Sequence, residues 1–162
     1  MQSIKENSRI VRIFAQWGCY VTVPAMILII YMVITAPAGT NIKIAYIDIP
    51  TSSLLNVDKV AVIIIVVLMS GVYLMALIYL KKLFALYEQG IIFEDKNAKY
   101  MNNFAYSIIL YSIVNSFSGL ALPNHKIFQP DFGTFIIGVI FLVISMVINE
   151  GRKIKQESDL TV

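Results

Sequence analysis

The chain has 162 residues, of which 58% are hydrophobic and 14% charged, and its formal net charge is +3. Once four long apolar stretches are subtracted, too little hydrophilic chain is left to form a second, water-soluble domain. The single cysteine, Cys19, excludes an intramolecular disulfide and a metal site built from a cysteine cluster. We therefore expect one membrane domain over residues 1–162.

Four segments contain no Asp, Glu, Lys or Arg, at approximately residues 14–35, 60–80, 104–122 and 132–149. About 20 apolar residues cross a hydrocarbon core about 30 Å thick, because a helix rises about 1.5 Å per residue. The pattern predicts an all-α fold, an integral membrane four-helix bundle. We expect the first span to be retained, although Ala36 and Ala38 resemble a signal-peptide cleavage site, since the segment is long and carries aromatic residues toward its ends.

Basic residues are distributed unequally between the two sides of these spans. One side holds only Lys43, Lys59 and Lys126. The other holds ten: Lys5, Arg9, Arg12, Lys81, Lys82, Lys96, Lys99, Arg152, Lys153 and Lys155. Cytoplasmic loops are enriched in Lys and Arg, so the N and C termini and the central loop are predicted to be cytoplasmic.

The loop after the first span is rich in β-branched residues from Asn41 to Pro50 and alternates partly in polarity. This pattern favours an extended or hairpin-like flap. An irregular apolar loop resting on the lipid headgroups is the alternative. The sequence alone does not decide between the two.

The central loop predicts a bend between two helices. The second span should continue as a helix through residues 81–89 and end at Gly90, which suits a left-handed helix C-cap. Acidic Glu94 and Asp95 favour the start of the next helix. We call residues 90–97 the corner, and expect it at the cytoplasmic membrane interface. Both helices run into the membrane, so it is not a DNA-binding helix-turn-helix.

The third span carries most of the polar residues within the predicted membrane region. Ser112, Asn115, Ser116 and Gly119 are spaced as i, i+3, i+4 and i+7 and therefore share one helical face. Small residues let helices approach closely in membranes, and an asparagine can hydrogen-bond across such a contact. The pattern predicts a helix-packing face.

Nothing in the sequence indicates catalysis. The only histidine, His125, lies in a short outer turn, and a lone loop histidine is more often solvated than catalytic. The predicted spans contain none of the ionisable groups that pumps and ion-coupled transporters usually require. We expect no enzyme activity, no cofactor, no metal site and no direct contact with nucleic acid.

Two cytoplasmic segments carry a family resemblance. The corner, Gly90-Ile91-Ile92-Phe93-Glu94-Asp95-Lys96-Asn97, resembles a Gly-x-x-Phe-x-x-x-Asn pattern, and the C-terminal Glu157-x-Asp159-Leu160-Thr161-Val162 is the more specific element. The corner and the whole ending from Glu150 to Val162, which contains this element, are similar to a bacterial four-span membrane family called domain of unknown function 2975. Two positions depart from that family: Glu94 replaces a frequent Ser or Thr helix cap, and Asn102 lies near a position that is often basic.

The resemblance implies a multi-pass protein of the bacterial inner or cytoplasmic membrane. The family itself has no known activity. Its members are often encoded beside a small helix-turn-helix transcriptional regulator, which implies a membrane protein that binds or controls that regulator. The hypothesis is a non-enzymatic protein that tethers the regulator through the corner and the C-terminal tail, Gln156 to Val162. The candidate residues are Gly90, Phe93, Asp95, Asn97, Glu157, Asp159, Leu160 and Val162.

The alternative is a small transporter or permeability protein that acts as a homo-oligomer. It predicts a water-accessible path between the spans. The regulatory hypothesis instead predicts a cytosolic partner.

Overall fold

The computed structural model describes residues 2–35, 41–44, 47–50, 56–92, 94–119 and 128–160. Its helices are α1 (Gln2–Thr35), α2 (Asn56–Glu88), α3 (Asp95–Ser118) and α4 (Phe132–Leu160). Two short strands, β1 (Asn41–Ile44) and β2 (Ile47–Pro50), lie between α1 and α2. The predicted all-α fold with four helices is confirmed, apart from this small addition.

The two strands form an antiparallel hairpin whose register runs from Asn41 opposite Pro50 to Ile44 opposite Ile47. Of the two conformations that the sequence allowed, the structure therefore has the hairpin. Pro50 lies at the end of its strand, where the missing backbone N–H disturbs the ladder least.

Three of the helices are long and apolar enough to cross a membrane: Ile4–Thr35, Lys59–Glu88 and Phe132–Ile154. The molecule is accordingly a membrane protein. Among the described residues α3 does not meet this criterion, because its serines and asparagines and its charged first turns lower its hydropathy. The fourth crossing stays a prediction.

From Tyr106 onward, the serines of α3 face inward and many of its large apolar residues face outward. Ser107, Ser112 and Ser116 are buried. The exposed large side chains of α3 are Tyr106, Leu110, Ile113 and Phe117. This distribution is the reverse of that on a surface helix of a water-soluble protein, and it suits contact with lipid.

The helices pack mainly on their neighbours in the chain: α1 on α2, α2 on α3 and α3 on α4. Bulky apolar residues join α1 to α2 around Val33, Val62 and Val66. A second cluster joins the other three helices around Leu83, Met101, Phe104, Ile148 and two alanines. This second cluster lies beside the corner.

Small residues recur every seven positions along the seam between α3 and α4. The Ser145 hydroxyl donates to the carbonyl of Ala98 over 3.0 Å. One heptad away, a Cβ added to Gly138 would lie 3.3 Å from the Ala105 carbonyl oxygen and 2.6 Å from Cγ1 of Ile109. The two backbones are thus in direct contact, as small residues permit between membrane helices.

Candidate functional site at the polar end of the bundle

The corner connects α2 to α3 through a Schellman motif, a helix-ending pair of hydrogen bonds. Gly90 has a φ of 80°, and its N–H donates to the carbonyl of Tyr87 over 3.0 Å. The N–H of Ile91 donates to the carbonyl of Leu86, also over 3.0 Å. Glycine adopts this left-handed conformation without a Cβ penalty, so the predicted C-cap is confirmed.

Asn97 is buried beneath the corner and hydrogen-bonds to its backbone. Its side chain is 0% exposed, and its Nδ2 donates to the carbonyl of Ile91 over 2.8 Å. This bond satisfies a backbone carbonyl of the loop between α2 and α3. Gly90 and Asn97 therefore shape the corner, and their effect on any partner would pass through that shape.

Glu94 occupies the N-cap position of α3 with extended φ and ψ of −122° and 160°. Its side chain makes no capping hydrogen bond. The weakened cap expected from glutamate at this position is thus observed, and α3 still begins at Asp95. A Ser or Thr side chain would instead accept a hydrogen bond from an N-terminal N–H group.

An ion pair joins the corner to the end of α4. The Arg152 guanidinium contacts the Asp95 carboxylate. One residue further along α4, Lys153 pairs with Glu150 over 2.7 Å. The structure thus brings Arg152, near the start of the family-like ending, against the corner, although the two are far apart in sequence.

Of the remaining candidate residues, some lie within the described part of the chain and others lie outside it. Glu157 lies on the exposed surface of α4. Asp159 and Leu160 belong to the last turn of that helix. Phe93 and Val162 lie outside the described residues, as does His125. Binding of a partner through the candidate set stays a prediction.

The start of α1 also reaches this end of the molecule. Arg12 pairs with Glu88 at the end of α2, with Nε 2.9 Å from Oε2. A Cβ added to Gly90 would lie 3.7 Å from Cε of Lys5. The three segments predicted to be cytoplasmic are therefore gathered in one place.

A groove of about 440 Å³ opens between α3 and α4 beside the corner. Its polar side chains come mainly from α3, and Leu142 and Met146 of α4 contribute an apolar wall. The sequence analysis missed this groove. Its signal was the run of Lys99, Asn102 and Asn103 immediately before the apolar part of α3, which has meaning only once α4 is placed beside it.

At the opposite end, the predicted packing face of α3 contacts the start of α4 through Asp131. The Ser112 hydroxyl donates to the Asp131 carbonyl over 2.7 Å, and the Asp131 N–H donates to the Ser116 hydroxyl over 2.9 Å. Asn115 Nδ2 donates to the Asp131 carboxylate over 3.0 Å. Gly119 is the C-cap of α3, with a right-handed φ of −66°.

Asp131 also caps α4, because its carboxylate accepts a hydrogen bond from the N–H of Thr134 over 3.1 Å. Partial burial favours the neutral acid, but hydrogen bonds from Thr134 and Asn115 outweigh it and lower the pKa of Asp131 below its ordinary value. The sequence analysis missed this role of Asp131. Ser112 and Asn115 could have identified it only with the helix pairing known.

No group of three or more His, Cys, Asp or Glu among the described residues could hold a metal ion. Asp131 is occupied by capping and packing, while Asp95 and Glu88 are in ion pairs. At the polar end, the Schellman motif and the two ion pairs hold the charged surface in shape.

The family described as protein of unknown function (DUF2975) matches residues 19–162, and the chain belongs to this family. The match includes the corner, the α3–α4 seam and the whole of α4. No curated protein and no solved structure matches the chain.

Proposed function

We propose that this member of the DUF2975 family is a non-enzymatic regulatory membrane protein that holds a small cytosolic helix-turn-helix transcriptional regulator at the bilayer. The observation that carries the proposal is the junction of corner and α4 through Asp95 and Arg152. It joins the corner to the part of α4 at which the family-like ending begins, on the side where the basic residues predict cytoplasm.

The proposal includes the orientation of the chain. With four crossings, both termini and the corner lie in the cytoplasm and the β1–β2 hairpin lies outside. The outward-facing apolar residues of α3 support its crossing, because a helix immersed in lipid must present apolar side chains to it.

The architecture of the polar end favours a docking role over catalysis. Gly90 and Asn97 fix the backbone of the corner through hydrogen bonds within it. A preformed surface loses less conformational entropy when a partner binds than a flexible one does. The exposed part of α4 beyond Arg152 extends this surface away from the membrane.

The principal test is removal of residues 157–162, followed by co-purification of cytosolic proteins with the full-length and truncated chains from the native host. The helix-turn-helix regulator should co-purify with the full-length chain and move to the soluble fraction after truncation. Membrane insertion should persist, because none of the predicted spans includes those residues. If neither chain retains the regulator, tethering fails and the homo-oligomeric permeability protein becomes the better account.

Exchanging the two charges tests whether the partner requires the intact ion pair or the individual charges of Asp95 and Arg152. Asp95→Arg and Arg152→Asp should each weaken retention of the regulator, because each places two like charges together. The double variant restores an opposite pair in reversed order and should recover retention. If the double variant binds no better than the single ones, the partner reads the individual charges and the junction does not matter.

A further inference from the structure

The groove between α3 and α4 has two chemically different walls. The α3 wall carries Lys99, Asn102 and Asn103, and the α4 wall carries Leu142 and Met146. The tight seam sets their separation, since the Ser145 hydroxyl bonds to the Ala98 carbonyl at the base of the groove.

The polar groups of the groove are available for binding. Among the described residues, the Lys99 ammonium and the side-chain amides of Asn102 and Asn149 have no hydrogen-bond or ion-pair partner. The other charged lining residue, Asp95, is paired with Arg152. The groove therefore has one unpaired positive charge beside amide groups that can donate hydrogen bonds, which suits an anionic oxygen ligand.

The groove lies across the boundary of the predicted membrane region. Lys99, Asn102 and Asn103 precede the predicted third span, which begins at Phe104, whereas Leu142 and Met146 lie within the fourth. Met146 is 64% exposed, and exposed Val143 and Val139 continue the apolar surface along α4. A ligand in this groove would meet charge and amides at one end and an apolar path at the other.

We propose that the α3–α4 groove binds one phospholipid with an anionic headgroup. The phosphodiester lies against Lys99 and Asn102, and one acyl chain follows Met146 and Leu142 toward the bilayer. Charge complementarity selects an anionic over a zwitterionic headgroup, because the unpaired charge of the groove is positive. The proposal does not depend on the tethering of a regulator.

The experiment uses the full chain purified in detergent and titrated with phosphatidylglycerol or with phosphatidylcholine of the same acyl chains. Native mass spectrometry gives the apparent Kd of the first bound lipid. The protein should prefer phosphatidylglycerol, and Lys99→Gln should reduce that preference about fivefold, the value of one lysine at an anionic surface. Asn102→Ala should reduce affinity for both lipids, because both contain a phosphodiester.

Lys96→Gln is the matched control, since Lys96 is an exposed lysine of the same helix outside the groove. It should leave the preference unchanged. Comparing the two lipids within each variant cancels any loss of folded protein. The proposal would be overturned if the wild type bound both lipids with the same apparent Kd. It would also be overturned if Lys96→Gln and Lys99→Gln reduced the preference for phosphatidylglycerol equally.

Inorganic phosphate tests whether the headgroup alone is recognised. Added at the concentration of the lipid, it should not displace phosphatidylglycerol, because it cannot contact the apolar wall. Displacement at equal concentration would identify a site for soluble phosphate and would refute the lipid.

Discussion

The α1–α2 pair and the α3–α4 pair use different chemistry to hold membrane helices together. Bulky side chains around Val33, Val62 and Val66 pack between α1 and α2. In α3–α4, by contrast, Gly138 and Ser145 bring the backbones into contact, and hydroxyl and amide groups bond across the seam. Since lipid is as apolar as valine, the second mode specifies position more strongly. We infer that α3–α4 is the rigid unit that positions the corner and the groove.

Gly138→Ala should have the largest effect on this unit. The added Cβ would lie 2.6 Å from Cγ1 of Ile109 and 3.2 Å from its backbone nitrogen, so the Ile109 side chain must move and the backbones must shift slightly apart. We expect the free energy of unfolding to fall by about 1–3 kcal/mol, as at other overpacked sites. The control is Gly71→Ala, because a Cβ there meets no atom within 4 Å. Thermal unfolding in detergent compares them, and equal melting temperatures would contradict the close contact.

Asp131→Ala should cause the second-largest loss of stability, because it removes the cap of α4 and the acceptor for Asn115 together. The expected loss is about 1–2 kcal/mol in the free energy of unfolding. Asp131→Asn keeps a capping oxygen and should lose less. If Ala and Asn are equally tolerated in the same detergent assay, the cap contributes nothing to the pair.

The pH dependence of Asp131 sharpens the same test. Its pKa is lowered in the folded protein, so its stabilising effect is complete above the unfolded pKa and is lost as pH falls through the folded pKa. The stability difference between wild type and Asp131→Asn should therefore shrink as pH is reduced below about 4. A difference that stays constant down to pH 2 would show that ionised Asp131 is not the source.

Gly90→Ala tests whether the corner depends on its left-handed residue. At a φ of 80°, alanine should cost about 1 kcal/mol. Gly133→Ala is a suitable control, because its nearest contact is an Asp131 oxygen at 3.9 Å and its φ is not positive. Hydrogen exchange of the corner amides should increase in Gly90→Ala alone. Unchanged exchange would mean that the corner tolerates the strain.

Glu88→Gln should have the smallest effect. The Arg12–Glu88 pair joins α1 to α2, but both side chains are partly exposed, at 35% and 28%. Such pairs contribute about 0–1 kcal/mol. A loss in thermal stability greater than that of Gly138→Ala would reverse the comparison between the two helix pairs.

The sequence predicted most of the fold because hydropathy and helix-ending signals are local. The four helices and the turn at Gly90 are examples. Membrane crossing by α3 is harder to identify from hydropathy, because the serines that lower the hydropathy of α3 are the residues that pack inside. Such residues reduce the apolar signal of a span while stabilising its contacts.

The site could be predicted only in part, because pairing between distant segments is not visible along the chain. Asp95 and Arg152 were noticed separately, and their ion pair required the antiparallel packing of α3 on α4. The groove and the role of Asp131 depend on the same packing. The seven-residue spacing of Asp131, Gly138 and Ser145 was a usable signal, since its counterpart in α3 is Ala98, Ala105 and Ser112.

The central claim is that α3 crosses the membrane, so that the corner and the C-terminal end of α4 lie together in the cytoplasm. Single cysteines introduced into a Cys19→Ser background, as Asn41→Cys, Gln89→Cys or Gln156→Cys, can be labelled in cells with a membrane-impermeant maleimide. The account predicts that Asn41→Cys reacts in intact cells and that the other two react only after permeabilisation. Labelling of Gln156→Cys in intact cells would place the end of α4 outside, and would contradict the four-crossing arrangement.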